Sequence, residues 1–184
     1  MSYLQLSRDQ AQQLVQFAWN TKPYECCGLI AGQDNQAKTI IPIPNASDKP
    51  NKRFFMEPSA LLKALKQIEY ERLQLLAIFH SHPEDDPIPS QTDIHESQYS
   101  EVVHLIISLK YQTPRLQAWR IKASQVSAVD LVIGSKPQEN LEKGNLTQTQ
   151  KYAIVLAALL AFIAVIVISI VLLPPAPTLP INGS

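Results

Sequence analysis

The sequence predicts mixed α and β structure, an α+β or three-layer α/β/α arrangement around one sheet, followed by a single apolar span. Three observations carry that expectation. Segments with helical periodicity alternate with apolar runs too short for helices. Polar or proline-containing turns separate them. All 16 basic and 16 acidic residues precede position 152, so the C-terminal part is uncharged. With 184 residues, 46% of them hydrophobic, the chain can build one ordinary core plus something apolar. The even charge balance leaves no basic patch, which argues against a nucleic acid partner.

The elements follow in order. Residues 3–6 read as a short strand. Ser7 then caps a helix, with Gln10 in the capping-box position and Ala11, Leu14, Val15 and Ala18 as its buried stripe. That helix should end near Asn20, ahead of Pro23. Residues 26–31 and 39–43 read as buried strands separated by the polar turn at 33–36. Cys26 and Cys27 are adjacent and must face opposite sides of a strand; they read as small buried thiols rather than a disulfide or redox pair. A polar loop at 45–51 precedes a second helix starting at Pro58, with Leu61, Ala64, Leu65, Ile68 and Arg72 on its stripe. After a strand at 75–79, residues 101–109 alternate as a strand with one strongly apolar face. Short strands at 116–121 and 128–133 complete the domain, 1–133.

The chemistry concentrates in His80-Ser81-His82-Pro83, with Ser90 and Asp93 downstream. On a strand, His80 and His82 project to one side, about 6.5–7 Å apart. Pro83 stops further pairing, and Pro87 and Pro89 stiffen a loop that returns Ser90 and Asp93 to the same point. Two imidazoles and a carboxylate leave an open coordination position, the make-up of a catalytic zinc site. The same set also describes the facial triad of non-haem iron, and ligand types alone do not separate the two. Ser90 and Asp93 also read as the N-cap and N3 of a helix, a role expected to compete with metal binding. Glu25, just before an apolar strand, is either a solvated strand end or a base. Glu84, Asp85 and Asp86 are alternative bases, more readily a solvated loop facing a basic partner. His95 and His104 read as structural or exposed.

These residues together resemble the JAMM (MPN-plus) metallopeptidases. The resemblance rests on His80-x-His82, Ser90 and Asp93 at their spacing, with Glu25 upstream in Glu25-Cys26-Cys27-Gly28, and covers roughly residues 3–123. It implies a deaminase-like three-layer sandwich around a mixed sheet. It implies one zinc ion per chain on His80, His82 and Asp93, Glu25 as general base and proton shuttle, and Ser90 as an oxyanion donor. It further implies cleavage of a peptide or isopeptide bond at the Gly-Gly terminus of a ubiquitin-like or sulfur-carrier protein, since the chain lacks room for the insertions of eukaryotic deubiquitinating members. A non-catalytic zinc-binding scaffold of the same fold is the alternative.

Residues 134–151 read as a flexible linker and 174–184 as a short Pro-rich tail. Between them, residues 152–173 carry no charge. At about 1.5 Å per residue this run reaches about 33 Å, enough to cross a bilayer core of about 30 Å as a transmembrane helix. Lys136, Lys143 and Lys151 precede the span and no Lys or Arg follows it. The positive-inside rule therefore places the catalytic domain on the cytoplasmic side of a single-pass, tail-anchored protein. No charged n-region and apolar h-region open the chain, so no signal peptide is expected.

Overall fold

The structure, a computed structural model, describes residues 3–97 and 101–134, together with Leu156, Phe162 and Ile163. The chain divides into two units, residues 1–137 and 138–184, and every element named here belongs to the first. Strand β1 (Tyr3–Leu6) leads into helix α1 (Arg8–Thr21) through the expected capping box. Ser7 Oγ accepts from the Gln10 N–H at 3.0 Å and Gln10 Oε1 accepts from the Ser7 N–H at 2.8 Å. Strands β2 (Cys27–Gln33) and β3 (Gln36–Ile43) form an antiparallel hairpin. Its turn residues Asp34 and Asn35 sit at φ 51° and 66°, the left-handed pair that a two-residue hairpin loop requires.

Helix α2 (Pro58–Tyr70) is capped by Glu57, whose carboxylate accepts from the Ser59 and Ala60 N–H groups. Arg72 is not on its stripe as expected: the helix stops at Tyr70 and Arg72 turns the chain at φ 55°. Strand β4 (Gln74–His82) follows, then the short helix α3 (Gln91–Glu96) and strands β5 (Val103–Ser108), β6 (Arg115–Lys122) and β7 (Gln125–Ile133).

The strands run β1-β3-β2-β4-β5-β6-β7 in one mixed sheet, with β4 parallel to β5 and the neighbouring hairpins antiparallel. The α+β class and the mixed sheet match expectation. The sheet also closes on itself, which was not expected: β1 pairs in parallel with β7 over four residues and touches β3 at Gln5 and Gln36. Right-handed strand twist curls a seven-stranded sheet, and a short first strand can then bridge both edges.

Helices pack on both faces. Leu14 and Ala18 of α1 bury against Ile30, Phe79, Leu105 and Ala118, and Phe17 meets Phe79 edge to face at 6.1 Å. Ala64 and Ile68 of α2 bury against Cys27, Leu29 and Ile78. Because strand side chains alternate, Cys26 joins the first core and Cys27 the second, both as free buried thiols. The same alternation puts His80 and His82 on the side of Ile78, under α2. The expected linker, span and tail, 134–151, 152–173 and 174–184, lie outside the described residues apart from Gly134 and three single positions. Among the described residues no helix is long and apolar enough to cross a membrane.

Candidate metal centre

His80 and His82 close β4 and are both buried; Asp93, in the first turn of α3, is buried with them. The two Nε2 atoms lie 3.1 Å apart, and Asp93 Oδ2 lies 3.5 Å from that of His80 and 3.6 Å from that of His82. Bonds of about 2.0–2.1 Å in a tetrahedron hold ligand atoms about 3.3–3.4 Å apart. The triangle is therefore the size of one tetrahedral face, and the three side chains can hold a single metal ion with the fourth apex open.

The tautomer of His82 is set locally. Its Nδ1 donates to the Asp86 carbonyl at 2.7 Å, which leaves the Nε2 lone pair facing the triangle. His80 stacks on Phe54 with ring centroids 4.5 Å apart. Burial holds the His80 imidazole below its ordinary pKa. Burial also opposes the His82 cation, but Asp93, the Asp86 carbonyl and Glu25 outweigh it and raise that pKa. Burial disfavours the Asp93 carboxylate too; His80, His82 and the Ser90 side chain overcome this and hold it well below the usual carboxylate range.

Ser90 and Asp93 form the capping box as well. Ser90 Oγ accepts from the Asp93 N–H at 3.1 Å and Asp93 Oδ2 accepts from the Ser90 N–H at 2.7 Å. The expected competition between cap and ligand does not arise. A carboxylate oxygen has two lone pairs, and the box takes one while the triangle faces the other.

Glu25 lies two residues before the start of β2 and is only 5% exposed, so it is not a solvated strand end. Its N–H donates to Pro50 O at 2.7 Å, and its carbonyl accepts from Asn45 Nδ2 at 2.9 Å. Ser81, between the two histidines, clasps the next residue: its Oγ accepts from the Cys26 N–H at 2.9 Å and its N–H donates to Cys26 O at 3.1 Å. Burial pushes the Glu25 carboxyl up to about 8, opposed by His82 and reinforced by Asp93 and Asp85. Glu25 Oε2 is buried without a hydrogen-bond partner among the described residues.

Residues 7–122 match a family described as prokaryotic homologs of the JAB domain. The chain belongs to that family. This JAB domain is 46% identical over 77 residues to a probable TtuB-protein conjugate cleaving protease of Thermus thermophilus, covering 42% of the chain and about half of that relative, 51%. A desampylase of Pyrococcus furiosus is 34% identical over 110 residues, covering 59% of the chain and 76% of that relative. A protein of Desulfitobacterium hafniense solved in solution superposes with a TM-score of 0.65 at 26% identity, over 74% of this chain and 97% of that one.

The JAB domain also holds its site with residues to which the sequence assigned no such role. Ser81, Phe54 and the Asp86 carbonyl all contact the ligands or their neighbours, and only Ser81 carried a signal, its place between two histidines. The acidic loop is not uniformly solvated. Glu84 and Asp85 are exposed, but Asp86 pairs with Lys110 Nζ at 2.8 Å and accepts from the Tyr111 hydroxyl, so its charge is met within the chain. His95 is exposed on α3. His104 is buried on β5, 3.2 Å from Ser97 Oγ, and burial holds its pKa down at about 4. Beside Asp93 opens a cavity of about 760 Å³ walled by Phe54, Met56, Leu61, Leu65, Ile78 and His104.

Proposed function

We propose that this JAB domain is a zinc metallopeptidase that hydrolyses the peptide or isopeptide bond after the Gly-Gly terminus of a ubiquitin-like or sulfur-carrier protein. The observation that carries the reading is the triangle of two imidazoles and one carboxylate, with edges of 3.1, 3.5 and 3.6 Å, beside a buried glutamate. Zinc bound there supplies a Lewis acid that acidifies water and polarises the scissile carbonyl.

The chain's own residues do the rest. His80, His82 and Asp93 hold the ion, and the Asp86 carbonyl keeps the His82 ring turned toward it. Glu25 takes the proton of the attacking water and delivers it to the departing amine. Burial raises its proton affinity, and a cation held by the neighbouring triangle would lower it toward the working pH. The Ser90 hydroxyl donates to the oxygen that gains charge as the carbonyl becomes tetrahedral. The apolar cavity beside Asp93 receives side chains of the carrier. Only glycine at its terminus lets the backbone approach the buried centre closely. The names of the two relatives, one a protein-conjugate cleaving protease and one a desampylase, support conjugate cleavage.

The uncharged run 152–173 would tether the domain as a transmembrane helix, and Lys136, Lys143 and Lys151 favour the cytoplasmic face. The activity test uses the full chain in detergent with a carrier fused through Gly-Gly to a reporter. Metal content near one zinc and cleavage after the second glycine are expected. Zinc without cleavage would leave the non-catalytic scaffold, and equal rates on Gly-Gly and Val-Val junctions would sink the substrate class. Protease added outside spheroplasts should spare the domain, and its digestion there would reverse the orientation.

A further inference from the structure

The loop between β4 and α3 has no regular structure, yet three successive carbonyls in it each accept a hydrogen bond from a different strand. Asp85 O accepts from Ser108 Oγ at 2.6 Å, on β5. Asp86 O accepts from His82 Nδ1 at 2.7 Å, on β4. Pro87 O accepts from Trp119 Nε1 at 2.7 Å, on β6. Only the middle bond reaches a metal-binding side chain. The outer two fix the peptide units on either side of it.

We propose that Ser108 and Trp119 are positioning residues of the metal centre, clamping the loop so that Asp86 O orients His82 and the chain arrives at Asp93 in register. The inference rests on the zinc reading given above. Its physical basis is simple. Asp86 O also accepts from the Ile88 N–H at 2.8 Å, but that bond lies within the loop and moves with it; a loop not tied to the sheet can shift as a unit, and the His82 ring would follow its acceptor. Clamped carbonyls on both flanks remove that freedom. Both donors stand on the sheet face that carries the histidines: Val103, Leu105 and Ile107 fill the core under α1, which leaves His104, Ile106 and Ser108 on the opposite side. Trp119, paired with His104 across the ladder, shares that side. An indole N–H has one bond to give, and a half-buried one rarely goes without a partner.

Losing a group that holds a ligating histidine costs about 10–100-fold in metal affinity. Ser108 and Trp119 act one peptide further out, so about tenfold is expected for each. The test is a chelator competition measuring the zinc Kd of the full chain for wild type, Trp119→Phe, Ser108→Ala, Ser108→Thr and Trp19→Phe. Trp119→Phe keeps the ring and removes the donor; Ser108→Thr keeps the hydroxyl. Trp19, 41% exposed on α1, serves as the remote control. Weakening in Trp119→Phe and Ser108→Ala, with wild-type affinity in Ser108→Thr and Trp19→Phe, supports the clamp. The His82 Nδ1–H resonance should also broaden in the two weakened variants, which a purely global loss of stability would not produce. Should Trp119→Phe fail to fold, Ser108→Ala alone decides. Unchanged affinity in the folded donor variants, or equal weakening in Trp19→Phe, overturns the clamp. Absence of zinc from wild type itself would instead overturn the metal reading on which it stands.

Discussion

A single atom, Asp93 Oδ2, accepts the Ser90 N–H and faces both imidazoles, so residue-scale tests at this site must separate folding from chemistry. Ser90→Ala removes the cap oxygen and the proposed oxyanion donor together. Thermal denaturation should show a loss of about 1 kcal/mol, and turnover should fall about 10²–10³-fold, the cost of one oxyanion donor. A stability loss with an unchanged rate would confine Ser90 to the cap. Glu25→Gln should keep zinc and lose nearly all turnover, because an amide cannot take the proton. Its effect on stability has a definite sign. In the metal-free chain the folded carboxyl binds its proton up to about pH 8, whereas an unfolded glutamate releases it near its ordinary value of 4.5. Between those pH values the unfolded state binds fewer protons, so stability falls as pH rises through the window. Denaturant midpoints measured in chelator from pH 4 to 9 should therefore decline more steeply for wild type than for Glu25→Gln. Parallel curves would mean that Glu25 is not held protonated by burial.

Elements place these residues through close backbone packing. Gly28 lies opposite Phe79 on β4 and Pro42 on β3, and a Cβ there would meet Ile41 O at 2.3 Å and the Phe79 ring at 2.6 Å. Phe79 is fully buried between strands and α1, so it cannot yield. Gly28→Ala should cost about 1–3 kcal/mol by overpacking, and no loss at all in chemical denaturation would mean that β2 can shift away from β4. The hairpin of β6 and β7 offers the reverse case. Ala123 and Ser124 hold φ 47° and 64°, a conformation costing about 1–2 kcal/mol per residue without glycine or asparagine. Ala123→Asn with Ser124→Gly should stabilise the fold, and an unchanged denaturation midpoint would count against that strain. The same turn shows where the sequence was opaque. Helix α1 was legible because Ser7, Gln10 and the stripe of Ala11, Leu14 and Ala18 all agree. Strand β7 was expected only from 128, because Ala-Ser carries none of the residues that mark a two-residue turn. The metal ligands were legible from spacing along one strand and one loop. Ser108 and Trp119 were not, since their partners lie 23 and 32 residues away in sequence. Sheet closure, resting on β1 alone, left no pattern to read.

At the scale of the molecule, the metal centre joins parts that the backbone leaves loosely connected. The ligands come from the end of β4 and from α3, a helix of only six residues reached through an irregular loop. A helix that short does not persist by itself, and its place depends on the capping box, the loop bonds and Asp93. An ion bound to the folded chain and not to the unfolded one adds RT ln(1 + [L]/Kd), about 2.7 kcal/mol at a hundredfold excess over Kd. Zinc titration should therefore raise Tm by several degrees, progressively with free zinc, and EDTA should reverse the rise. His80→Ala, His82→Ala and Asp93→Ala should each abolish the shift, since two remaining ligands compete poorly with water. Glu25→Gln should keep it. Lowering the pH should shrink it, because Nε2 protonation of either histidine withdraws a ligand. Hydrogen exchange should report protection gained mainly in the loop and α3, with little change in the core strands. Wild type melting at one temperature with zinc and with EDTA, or a zinc shift retained by all three ligand variants, would remove the metal from this site.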